Sequence, residues 1–100
     1  MLELLDRDHH AVLAEDLGAE LLAVLIPQLR ATIADEADAI LQGENVVAAA
    51  HCLAGAAAMY GCPRLADAAR RIEAGAAVPP EFTALVNETS MALAKYYLLV

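Results

Sequence analysis

Tryptophan is absent from this 100-residue chain, and aromatic residues make up only 4% of it. A sheet core built from aromatic and β-branched pairs is not what such a composition assembles. Positive charge is scarce as well: six Lys and Arg stand against fourteen Asp and Glu, for a net charge of −8. A surface that grips a phosphate backbone needs clustered cations, and these six are scattered, which excludes nucleic acid as a partner. Only two cysteines occur, Cys52 and Cys62. They fall on one expected helix, too far apart to bridge, and fit a reducing compartment. The opening Met1-Leu2-Glu3-Leu4-Leu5-Asp6 lacks the basic region and cleavable apolar core of a signal peptide, so a cytoplasmic location is expected. The run from Val46 to Pro63 carries no formal charge, yet it is rich in Ala, holds His51 and two glycines, and has no flanking aromatic or basic belt. It is not read as a membrane span.

What the chain has in quantity is alanine, about a quarter of all residues, within a hydrophobic share of 60%. Ala favours closely packed helices, and this length suits one core, so the expectation is a single all-α domain over residues 1–100. Gly and Pro divide it. A short first helix is expected from Asp8, as N-cap, to Leu17, broken by Gly18. A long second helix runs from Ala19 to Gln42, with Leu21, Leu22, Leu25, Leu29, Ile33 and Ile40 at helical spacing, a kink at Pro27 and a stop at Gly43. Asn45 caps a third helix ending near Gly61. Pro63 opens a fourth that runs to Ala74 with Leu65, Ala69 and Ile72 on one stripe. The last, from Glu81, carries Phe82, Leu85, Val86, Thr89, Leu93, Tyr96 and Val100. Short connections imply an up-and-down antiparallel four-helix bundle with a short extra N-terminal helix.

His51 is the residue that this scheme does not absorb. At about 100° per residue, Val46, Leu53 and Tyr60 fall on one side of the third helix with Ala49 and Ala57 beside them, and His51 falls opposite. Around it lie Val47, Ala48, Ala54, Gly55, Ala58 and Cys62, a flat and neutral surface. Gly55 sits one turn along, where a mid-helix Gly costs about 1 kcal/mol relative to Ala, as if something must come close. A hydrolytic triad lacks a placed nucleophile, since Cys52 diverges from His51 around the helix. Metal binding needs converging ligands; His9 and His10 are consecutive and diverge, so no metal site is assigned. Transfer of a phosphoryl group to imidazole fits better, because it rests on positioning and charge stabilisation that a partner can supply. A His on an Ala-rich helix otherwise reads as structural. It is the coincidence with Gly55, Gly61 and the adjoining Arg-Leu helix that shifts the reading.

The segment AHCLAGAAAMYGCPRLADAARRIE, Ala50 to Glu73, resembles the signature of histidine-containing phosphotransfer (HPt) domains, with His51, Leu53, Gly55, Ala57, Gly61, Arg64, Leu65 and Glu73 at matching positions. The resemblance implies a four-helix bundle with an exposed phosphorylated His midway along one helix. It implies that His51 accepts the phosphoryl group on Nε2, that Gly55 leaves room for a receiver domain, and that Glu73 orients the ring through the other nitrogen. The chain departs from the pattern at Ala54, where the family usually has Lys, and at Ala56, often Ser; Arg64, Arg70 or Arg71 are the candidate substitutes.

The resemblance further implies a phosphocarrier in a multistep His-to-Asp relay rather than an autonomous kinase, and no Gly-rich nucleotide loop is present. Its expected partners are a response-regulator receiver domain and a hybrid or sensor histidine kinase. No cofactor is expected on this chain, with Mg2+ on the receiver. The alternative is a non-catalytic HPt-fold module that binds a receiver or kinase through the same neutral face.

Overall fold

A computed structural model describes residues 2–98, with the side chain of Leu98 left aside. Four helices succeed one another: α1 (Arg7–Gln42), α2 (Val46–Met59), α3 (Pro63–Glu73) and α4 (Phe82–Leu98). Each packs on the next and α4 returns to α1, while among the described residues neither diagonal pair brings its backbones as close. Short turns join the first three helices, so α2 and α3 form an antiparallel hairpin against the longer α1 and α4.

The separate N-terminal helix expected from Asp8 to Leu17 is the first part of α1. Gly18 leaves the helix there with φ 80° and ψ 158°, a combination open only to a residue without Cβ, and the helix resumes at once. The N-cap is Asp6 rather than Asp8, its carboxylate accepting from the His9 amide at 3.2 Å. Pro27 lies inside α1, whose only internal residue with non-helical dihedrals is Gly18. Asn45 stands before α2 but makes no side-chain capping bond; its φ of 45° shows it serving the turn instead. α1 and α2 end alike. Glu44 N–H reaches Ala39 O at 2.9 Å and Cys62 N–H reaches Ala57 O at 2.8 Å, each satisfying a carbonyl that the helix end would orphan.

The core is aliphatic and small. Leu22, Ile26, Leu29, Ile33, Ala37 and Ile40 of α1 meet Ala49, Leu53 and Ala57 of α2, Leu65, Ala69 and Ile72 of α3, and Phe82, Val86 and Leu93 of α4. Leu21, placed on the α1 stripe by spacing, is exposed and Ile26 takes the buried position. Thr89 is buried with its hydroxyl donating to Leu85 O at 2.7 Å. Val100, the last residue of the expected α4 stripe, lies outside the described residues. By length and composition α1 is apolar enough to cross a bilayer, with mean hydropathy 1.4 over 18 residues, of which 22% are buried. The charge-free run 46–63 forms only the 14-residue α2 and the turn after it.

The N-terminal segment clamps the α2–α3 corner. Gly61 O accepts from the Asp6 amide at 2.9 Å and from His10 Nε2 at 3.2 Å, and Met59 O accepts from His9 Nε2 at 2.7 Å. His10 is fully buried, and because Gly61 offers only a carbonyl, Nε2 carries the proton. Nδ1 is then the acceptor for the Tyr97 hydroxyl. Burial holds His10 below its ordinary 6.5, outweighing the Gly61 carbonyl, which raises it, and pushes Tyr97 up to about 12. Both groups stay neutral, as that bonding requires. Gly61 has φ 65°, and a Cβ there would stand 3.1 Å from His9 and His10 ring atoms. This glycine is fixed by the clamp, not only by the helix end.

Candidate functional site

α2 is built almost wholly from Ala, Val and Gly, so α3 can approach it closely. Ala50, Ala54 and Ala57 are buried on α2, and Ala66 and Ala69 are buried on α3. That approach decides which flank of α2 meets solvent. Val47, Ala48, His51, Cys52, Gly55 and Met59 are exposed. At 100° per residue the open face centres on Gly55, and His51 stands towards its edge on the side of α3.

The edge position has a direct chemical consequence. Glu73, at the last turn of α3, reaches His51 with its Oε2 2.6 Å from Nδ1, the two side chains being 32% and 75% exposed. A carboxylate accepts, so Nδ1 donates, and Nε2 is left with its lone pair turned away from the carboxylate. Gly55, one turn along the same face, is helical and exposed, and a Cβ added there would meet nothing within 4 Å. No residue of α2 around the ring carries a formal charge.

Of the residues expected to surround His51, Val47, Ala48 and Gly55 are exposed and Ala58 is half-buried. Two expectations are corrected. Ala54 is 4% exposed and Cys62 is 0% exposed, so neither offers surface to a partner. Ala54 lies under α3. Cys62 sits at the start of α3 with its thiol directed to Tyr60 O at 3.6 Å, and burial pushes that thiol up to about 12. In their place the face includes Cys52 and Met59, the latter 65% exposed. The apolar stripe of α3 held the missing signal, because Leu65, Ala66, Ala69 and Ile72 had to cover one flank of α2. Glu73 and His51 are brought together. Two of the three candidate arginines are engaged elsewhere: Arg64 donates to Leu2 O at 3.0 Å and Arg71 pairs with Asp67 at 3.1 Å.

The other histidines differ in kind. His10 has both ring nitrogens engaged and no exposure, and His9 is tied by Nε2 to Met59 O. Among the described residues no group of three His, Cys, Asp or Glu converges as metal ligands would.

Compared with known protein families, the chain matches the Hpt domain over residues 7–95. Neither the curated proteins nor the solved structures yield a match.

Proposed function

Because the chain belongs to the Hpt domain family, the histidine phosphotransfer modules of phosphorelays, we propose that it carries a phosphoryl group on His51 Nε2 between receiver-domain aspartates. The observation that carries this reading is the 2.6 Å contact of Nδ1 with Glu73 on an exposed ring. It leaves Nε2 unprotonated and accessible, whereas His9 and His10 each spend Nε2 on a backbone carbonyl.

In this mechanism a receiver docks on Val47, Ala48, Gly55 and Ala58, with Cys52 and Met59 extending the contact. The absence of a side chain at Gly55 lets its aspartyl phosphate approach the ring in line. The Nε2 lone pair forms the N–P bond as the acyl P–O bond breaks, and the aspartate leaves as carboxylate. The ring then holds the phosphoryl group on Nε2 and a proton on Nδ1, so it is cationic. The Glu73 carboxylate stabilises that charge where it develops, and the return transfer reverses each step. Mg2+ belongs to the receiver in this scheme, and this chain contributes positioning and the nucleophile. The source of phosphoryl groups is a hybrid or sensor kinase, and the setting is cytoplasmic.

A second reading keeps the docking face but not the chemistry: a module that binds a receiver or kinase without transfer. Ala54, which supplies no cation beside the ring, is the observation in its favour. Incubation with a phosphorylated receiver separates the two. Label on the wild type and none on His51→Gln, with unchanged helicity, supports the carrier; receiver binding with no label on the wild type supports the module and refutes the carrier.

A further inference from the structure

We infer that Arg70 is the cation that meets the phosphoryl group on His51, reaching it along the groove between α2 and α3. The inference rests on His51 being the phosphorylated residue. A phosphoryl group there adds negative charge beside the Glu73 carboxylate, on a chain of net charge −8. Like charges so close oppose one another unless a cation lies near.

Few cations are free to do this. Arg30 donates to Ser90 Oγ at 2.9 Å, Arg64 to Leu2 O at 3.0 Å, and Arg71 pairs with Asp67 at 3.1 Å. Arg7 and Lys95 line a different groove, with Ala92 and Tyr96 of α4. Arg70 is exposed and has no ion pair or side-chain hydrogen bond among the described residues.

Its place is set by the register of the hairpin. His51 lies against Glu73, so in antiparallel helices a step of three residues forward on α2 matches a step of three back on α3, and Ala54 stands across from Arg70. A second anchor agrees: Ala58 and Ala66, one turn further, line the same groove as Arg70. Ala66, Arg70 and Glu73 thus share the edge of α3 that faces α2. The small side chain of Ala54 leaves that edge clear. At 1.5 Å per residue, Arg70 starts about 4.5 Å along the axis from the level of Glu73, within the reach of an arginine stem. Without phosphate its side chain lines the groove near Asp6, His9 and Asp67. Moving to His51 takes rotamer changes of one exposed side chain, and the guanidinium fork fits two phosphoryl oxygens.

The test needs no partner protein. Phosphoramidate, a small phosphoryl donor, is used to load His51, and the phosphohistidine 31P resonance is titrated with pH in wild type, Arg70→Ala, Arg70→Lys and Arg71→Ala. A cation at the phosphoryl group disfavours its protonation and that of the ring. Arg70→Ala therefore raises the titration midpoint by about 0.2 to 0.7 of a pH unit, the span of an exposed ion pair, and shortens the phosphorylated half-life. Arg70→Lys restores most of the shift, and Arg71→Ala matches wild type. Equal midpoints in wild type and Arg70→Ala, or an equal shift in Arg71→Ala, overturn the inference. If wild-type His51 takes no phosphoryl group while free histidine in the same tube does, the reading of His51 itself fails, and the role of Arg70 with it.

Discussion

Replacing Glu73 with Ala removes the acceptor that holds the proton on His51 Nδ1. The contact is short, 2.6 Å, and joins a ring nitrogen to a carboxylate, the kind of bond that contributes about 1.5–3 kcal/mol when shielded from water. Here the His51 side chain is 75% exposed and Glu73 is 32% exposed. Water competes for both partners, and exposed pairs of this type measure about 0.2–1 kcal/mol. Taking the upper end, because the geometry is short and one partner is mostly covered, gives about 1 kcal/mol, or about a fivefold change in the balance between tautomers. Transfer from a phosphorylated receiver uses only the tautomer with a free Nε2, so its rate constant falls by about the same factor. Glu73→Gln keeps an acceptor oxygen without the charge and falls between the two. Nitrogen-15 spectra of the imidazole report the tautomer directly, and rapid-quench phosphotransfer reports the rate. A wild-type ring protonated on Nε2, or an unaltered rate in Glu73→Ala, rules out this role for Glu73.

Other substitutions have equally definite outcomes. Gly55→Ala stabilises α2 by about 0.5–1 kcal/mol in urea denaturation, since the site is helical and open, whereas Gly55→Leu keeps the fold but slows transfer from a receiver. Stability depends on pH through His10, whose folded-state pKa is depressed. Its contribution is full above about 6.5 and is lost as pH falls below that value towards the folded pKa, because the unfolded chain takes up a proton that the buried ring refuses. Wild-type thermal midpoints therefore decline below pH 6.5, and His10→Gln flattens the decline while lowering the midpoint at pH 7.5. Ala54→Lys, which the sequence alone presents as restoring a cation, instead forces a long side chain under α3. It lowers stability by about 1–3 kcal/mol, read by calorimetry.

Much of the site is legible in one dimension because its elements are local. Helical spacing puts Leu53 and Ala57 in the core and His51 outside it, Gly43 and Pro63 mark helix boundaries, and the run from Ala50 to Glu73 supplies the family resemblance. Two residues assigned to the face by spacing are not on it, for a physical reason. A single helix has a polar or empty side, but how much of it stays open depends on what packs against it. α3 covers Ala54, and the turn into α3 buries Cys62; neither can be read from the periodicity of α2. The roles of His9 and His10 are equally hidden, since both act on carbonyls about fifty residues away.

Composition, helix periodicity and motif spacing are properties of near neighbours, and they suffice for an all-helical chain, the family to which it belongs and the histidine that stands out. Only the tertiary structure decided that His51 sits at the margin of α3, where Glu73 can hold one nitrogen and leave the other free. It also decided that Ala54, 4% exposed, offers no surface to a partner. Both outcomes depend on the register between two helices, which is set by how closely their alanines pack.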